Sequence, residues 1–411
     1  MKTSVVGNPL KKTAHRLQLA FYFLTLTFSA HSQTWNVSDA PANYWVSMAG
    51  SQHGSNLVAA AVFDVDGNAG LIYASTNGGQ TWNPTSAPSN YWESVATSSD
   101  GIKVAAGAYT DPNGNPGQIF LSTDGGSTWQ PSSAPSNSWQ AVASSADGQV
   151  LIGAAYGDGI YYSTNSGTDW IQSDAPITNW LELAISADGQ KIYATFFGGI
   201  YVSTNAGSTW SQSASALPLA WLPIVCSADG SQVFAAAQGD GIYSSTNSGA
   251  TWNLLTSAPT NTVWESLAMS TYGDVLLAGV SGGDLYLSTN GGSVWNDQNS
   301  APNGANALWG CVFCSADGGL LTAGLDNDSI YYAANPQPTP TPPPLLTLTV
   351  VSNQGVLSWP VSPAGFTLQT TGTLVPADWT DITTGVVQSG TNYFYTNSFT
   401  GSGAFFRLAK P

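Results

Sequence analysis

Short apolar runs, often alternating with polar positions, recur along the whole chain and are broken by clusters of Gly, Asn, Asp, Ser and Pro. Such runs are strand-like, and the clusters between them supply turn chemistry. Residues 92–137 show one unit. Trp92 to Ser98 alternates toward a Ser99-Asp100-Gly101 turn, and Lys103 to Tyr109 runs back. A loop at 110–117 leads to Gln118 to Ser122, a polar turn follows, and Trp129 opens a last strand. Four strands in sequence, repeated along the chain, predict an all-β protein.

The units repeat almost word for word. The polar turn reads STNGGQTW at 75–82, STDGGSTW at 122–129, STNSGTDW at 163–170, STNAGSTW at 203–210, STNSGATW at 245–252 and STNGGSVW at 288–295. Its closing tryptophans are spaced by 47, 41, 40, 42 and 43 residues. A second phrase keeps the same period in seven copies, from APANYWVSMA at 40–49 to APNGANALWGCVF at 301–313. A period of this length with four strands per unit predicts a β-propeller, here with seven blades. The chain after residue 32 begins Gln33-Thr34-Trp35-Asn36-Val37, the tail of the polar turn and its following strand. The last repeat stops at Asn335 before such a strand, so the N-terminal piece is expected to supply the missing outer strand of blade seven and leave no long open edge.

The turn phrase is built from hairpin chemistry. Asn77 or Asp124 can accept backbone N–H bonds from residues ahead, the glycine of Gly79, Gly126, Gly167, Gly207, Gly249 and Gly292 tolerates positive φ, and the tryptophan buries a large ring. The phrase resembles the Asp-box, the bacterial neuraminidase repeat S-x-D-x-G-x-x-W, with Asn in place of Asp in five of six copies. That resemblance implies a structural turn lying on the face opposite any active or binding site.

The ends differ from the repeats. Residues 1–32 read as a secretory signal: Lys2, Lys11, Lys12 and Arg16 precede an apolar stretch from Leu17 to Phe28, and Ala30-His31-Ser32 offers a cleavage site. A secreted, extracellular, periplasmic or cell-surface protein is expected, with a monomeric propeller over 33–335. A Pro/Thr-rich linker spans 336–344, and residues 345–411 carry strand-like runs expected to form a small β-sandwich. This last module resembles immunoglobulin-like or fibronectin-type-III-like domains of exported bacterial proteins.

Charge narrows the functions. Removing residues 1–32 leaves four basic residues, Lys103, Lys191, Arg407 and Lys410, against 24 acidic ones, a balance of 4 − 24 = −20. No basic footprint for nucleic acid exists. Sialidases hold their substrate carboxylate with three arginines, and this chain has none between residues 33 and 406, which excludes that activity. Cys226, Cys311 and Cys314 read as small buried hydrophobes, and His53, the one histidine after residue 32, cannot by itself make a histidine metal site.

Two classes of function remain. One is a non-catalytic platform for a protein or polysaccharide, as in the seven-bladed photosystem-assembly propellers that the repeats also resemble; their basic patch has no counterpart here. The other is a glycoside-active enzyme resembling the two-propeller xyloglucanases, using Glu93, Glu182 or Glu265 with an aspartate of the loop rim, Asp240, Asp284, Asp326 or Asp328. Trp45, Trp92, Trp139, Trp180, Trp221, Trp264 and Trp309 form a ring that could stack a ligand or simply pack each blade. Where the repeats differ, Tyr156, Phe196, Phe197, Asp158 and Asp240 stand as ligand candidates. Asp64, Asp66 and Asn68 offer oxygen ligands for calcium in a pattern short of an EF-hand; no other cofactor is expected.

Overall fold

In the computed structural model the described residues are 33–298, 301, 307–335, 346–351, 354–360, 367–371, 380–382, 384–389, 392–398 and 405–409. The expected signal sequence, 1–32, and the expected linker, 336–344, lie outside them. Every described element is a strand.

The repeats form four-stranded antiparallel sheets, each wound from an inner to an outer strand. Blade one uses Asn43–Gly50, Leu57–Asp64, Ile72–Ser75 and Asn83–Pro84 in that order. The following sheets repeat the plan from inner strands Tyr91–Thr97, Trp139–Ser144, Thr178–Ile185, Trp221–Cys226, Trp264–Met269 and Trp309–Cys314. Successive inner strands lie side by side, and the last lies against the first. In the last blade the outer strand is the N-terminal Asn36–Val37, paired with Ile330–Ala334 through Asn36↔Tyr332 and Val37↔Tyr331. Gln33 fastens the segment further: its backbone N–H donates to Gln298 Oε1 and its amide to Asn335 Oδ1. The structure is a β-propeller closed by its own N-terminus.

The second strands explain the core. The first five residues of Leu57–Asp64 and of Val104–Thr110, and all of Val233–Ala237 and Leu276–Val280, are buried and mostly small or aliphatic. A strand covered by a neighbouring blade on each face needs apolar residues at consecutive positions, and small ones let the blades approach. Cys311 and Cys314 are buried in two different clusters, one on each side of their strand.

The C-terminal residues form two further sheets. One orders Thr347–Val351, Gln354–Pro360, Asn392–Ser398 and Val386–Ser389; the other orders Thr380–Asp381, Thr367–Thr371 and Phe405–Ala409. Leu357 and Trp359 of the first sheet and Leu368 of the second share one small core.

Candidate functional site

The strand ends define two faces. On one lie the repeated turns, and they are closed structures. Ser75 Oγ donates to Asn77 Oδ1 and accepts from the Gly79 N–H, while Asn77 Oδ1 accepts from the Thr81 N–H, each at 3.0 Å. The same three bonds recur in all six copies, for example around Asp124 and Asn247. On this face a belt of backbone bonds runs once around the axis. The N–H of Gln52 donates to Ser99 O, Ser99 to Ala146, Ala146 to Ala187, Ala187 to Ala228, Ala228 to Thr271, Thr271 to Ala316, and Ala316 back to Gln52, at 2.7–2.9 Å.

A second belt runs around the opposite face, where the loop after each second strand touches the entry to the next inner strand. Its bridges are Gly70↔Asn90, Gly117↔Asn137, Phe197↔Ala220, Asp240↔Thr262, Ser281↔Leu308 and Asn43↔Asp328. Between blades three and four it lengthens to Tyr156↔Asn179 and Asp158↔Thr178, which merges those blades into one eight-stranded sheet.

The tryptophan ring belongs to the interior. Trp45, Trp92, Trp139, Trp180, Trp221, Trp264 and Trp309 are at most 1% exposed. Each meets an aromatic side chain of its own third strand edge-on: Tyr73, Phe120, Tyr161, Tyr201, Tyr243, Tyr286 or Tyr331, with centroids 5.1–5.9 Å apart. This corrects the ligand-stacking reading, because burial leaves no indole face for a ligand. Asp158 and Asp240 support the same stacks. Asp158 accepts from the Tyr161 hydroxyl at 3.2 Å and from Asn137 Nδ2 at 2.6 Å, and Asp240 accepts from the Tyr243 hydroxyl at 3.0 Å. Phe196 is half-buried against Trp180 and Tyr201, whereas Tyr156 and Phe197 are exposed on the loop face.

The calcium reading of Asp64, Asp66 and Asn68 meets a simpler geometry. The Asp64 carboxylate accepts from the N–H groups of Asp66 and Asn68 and from Asn68 Nδ2, at 2.8–2.9 Å. Asp111 does the same with Asn113 and Asn115 in blade two. Such a carboxylate caps its own loop, and these hydrogen bonds hold its carboxyl below the usual range.

Chemistry gathers instead on the axis. The residue following each ring tryptophan, namely Val46, Glu93, Gln140, Leu181, Leu222, Glu265 and Gly310, lines one axial cavity of ≈ 350 Å³ together with Glu182 and Asp326. It continues toward the turn face as a narrower space of ≈ 180 Å³ that shares Val46, Glu182, Glu265 and Gly310. In every inner strand a β-bulge follows the tryptophan, as between Trp92 and Ser94 or Trp264 and Ser266. The bulge re-aims the next side chain, so a buried indole is followed by a residue facing the axis.

Burial pushes the Glu93 and Glu182 carboxyls up to about 7, and Glu182 also feels Glu93. Gln140 Nε2 donates to Glu93 at 3.3 Å and works against the rise. Burial and then the neighbouring Glu265 raise Asp326 to about 7, and burial raises Glu265. Asp326 Oδ1 is shielded from solvent without a hydrogen-bond partner. The cavity thus holds four carboxyls that burial raises, with Glu182 feeling the charge of Glu93 and Asp326 that of Glu265. Sequence inspection finds the three glutamates; the place of Asp326 beside Glu265 has no signal in the spacing.

Comparison with known proteins rests on structure. No protein-family model matches the sequence, and no curated protein matches it. Among solved structures the chain is similar to YCF48 bound to D1 peptide, with 14% identity over 75% of this chain and 98% of that one and a TM-score of 0.56. It is also similar to the GH74 xyloglucanase from Xanthomonas campestris (15% identity, 79% of this chain, 59% of that one, TM-score 0.58). The GH74 enzyme of Niastella koreensis is similar too (14%, 86%, 60%, TM-score 0.58). The chain spans about three fifths of each GH74 chain. At such identities the likeness shows the fold, a β-propeller. No helix among the described residues is long and apolar enough to cross a membrane.

Proposed function

We propose that the protein is an exported, non-catalytic binding platform: a seven-bladed Asp-box propeller that holds a protein or polysaccharide on its loop face, with the C-terminal fibronectin-like module as spacer or anchor. The observation that carries this reading is the contrast between the two faces. The turn face is a repeated set of self-satisfied turns, while the loop face varies from blade to blade and carries the exposed aromatic side chains Phe63, Tyr156 and Phe197. Exposed aromatic groups on one rim serve binding better than solubility. The peptide-bound YCF48 neighbour supports the idea of a propeller that holds a polypeptide.

A second reading rests on the axial carboxyls. A carboxyl raised to about 7 beside a second carboxylate is the equipment of a general acid in glycoside hydrolysis, and two neighbours are GH74 proteins. One experiment separates the two readings. The chain from residue 33 onward is offered a panel of soluble polysaccharides and peptides, scored for retention and for new reducing ends. Retention without new ends is expected. Release of sugar that disappears in Glu182→Gln or Glu265→Gln would establish the enzyme instead.

A further inference from the structure

The loop face has one sign of charge. The only basic side chains between residues 33 and 335 are Lys103 and Lys191. Both are tied down on the turn face: Lys103 Nζ donates to Asp147 O at 2.9 Å and Ser166 Oγ at 3.2 Å, and Lys191 Nζ to Asp229 O and Ser248 Oγ at the same distances. The loop face therefore carries Asp64, Asp66, Asp111, Asp284 and the axial carboxyls with no positive group among them.

The same face carries an arc of aromatic rings across blades one to four. Phe63 is 38% exposed and meets Tyr44 at 6.2 Å and Tyr91 of the next blade at 5.4 Å. Tyr109 of blade two meets Tyr156 of blade three at 6.1 Å, and Phe197 of blade four is 52% exposed. Val65 and Ile177 add apolar surface to the arc. Phe63, Tyr156 and Phe197 are the strongly exposed aromatic residues among the described ones, and all three lie here. Aromatic faces attract guanidinium and ammonium groups, and they also take the methylene stems of those side chains. Flanking carboxylates add attraction, and a face without cations repels none of it.

Resting on the platform reading, we infer that this aromatic arc docks a basic polypeptide segment, its arginine or lysine side chains laid across the rings between Phe63 and Phe197. Charge complementarity selects that occupant over a polyanionic glycan, which this face would repel. A neutral glycan would use the rings and leave the carboxylates idle.

The test measures binding of hexaarginine, hexaglutamate and cellohexaose to the chain from residue 33 onward by titration calorimetry. Hexaarginine is expected to bind, and raising salt from about 50 to about 500 mM should weaken it roughly tenfold, as screening of an exposed charged interface requires. Tyr156→Ser and Phe197→Ser should each weaken it by about fivefold, the scale of one lost cation–π contact. Asp169→Thr, which removes a charge on the turn face and restores the residue found in four other copies, should leave it unchanged. Equal loss in Asp169→Thr and Tyr156→Ser would overturn the inference, since the attraction would then be diffuse. So would the absence of hexaarginine binding. Preference for cellohexaose would overturn it while sparing the platform; release of sugar from a polysaccharide would remove the platform itself.

Discussion

Glu182 and Asp326 are placed where ionising is costly, and their effect on stability has a definite sign. Each folded-state carboxyl titrates near 7, above the ordinary value of 4.5 for Glu182 and 3.8 for Asp326. Between those limits the folded protein holds protons that the unfolded chain has lost, so stability falls as pH rises through that window. Asp100, Asp147 and Asp188 work in the opposite direction. Serine hydroxyls beside them hold their carboxyls below 3.8, so their contribution is present above that value and lost as pH falls below it. The Tm is therefore expected to be highest near about pH 4 to 5 and to decline on both sides. Glu182→Gln should recover on the order of 2 kcal/mol at pH 8 and flatten the alkaline limb, measured by thermal denaturation across pH. An unchanged limb would place Glu182 in contact with bulk water. The sequence shows these glutamates as polar positions on inner strands. Their burial follows from bulges after Trp92, Trp180 and Trp264, and no residue type announces a bulge.

At the scale of the element, the repeated turn carries its own instructions. Its serine, asparagine and glycine satisfy one another within eight residues, so local chemistry suffices to define it. One position is imperfect. The residue before the invariant glycine has positive φ in every copy: Gly78, Gly125 and Gly291 adopt it freely, but Ser166, Ala206 and Ser248 hold φ of 56–57°. An L side chain in that region costs about 1 kcal/mol. Replacing Ala206 with Gly should be neutral or raise stability by up to about 0.5 kcal/mol, against the usual loss when glycine enters a strand or helix. Urea denaturation of A206G would decide it; a clear loss would mean that the Ala206 methyl packs more than it strains. The invariant glycine behaves differently. A Cβ at Gly207 would come within 2.8 Å of Ile152, so this position is fixed by packing as well as by φ.

Over the whole molecule, closure is the organising fact. Two backbone belts and the pairing of Asn36–Val37 with Ile330–Ala334 make each blade depend on both neighbours, so loss of one should propagate. The charge distribution acts at this scale as well. With 24 acidic residues and two propeller lysines that face the same way, like charges around the ring repel one another. Added salt screens that repulsion, so the Tm of the chain from residue 33 onward is expected to rise by a few degrees, about 2–5 °C, between low and roughly 0.5 M salt. A fall would mean that the belts and ion contacts, rather than net charge, set the electrostatic balance.

The sequence by itself determined the strands, the repeated turns and the strand exchange at closure. Each of these depends on residues close together in the chain or on a period that survives substitution, so Gly79, Asn77 and the stranded Gln33–Val37 segment could be read as letters. Only the tertiary structure decided which tryptophan faces are sealed and which carboxyls meet. The ring tryptophans look like a binding surface until Tyr73 to Tyr331 are seen against them. Glu265 and Asp326 become a pair only when the inner strand of one blade and the loop after the second strand of the next, Leu320–Leu325, converge on one axis. Burial and proximity across blades are properties of the closed ring, and no local stretch of sequence contains them.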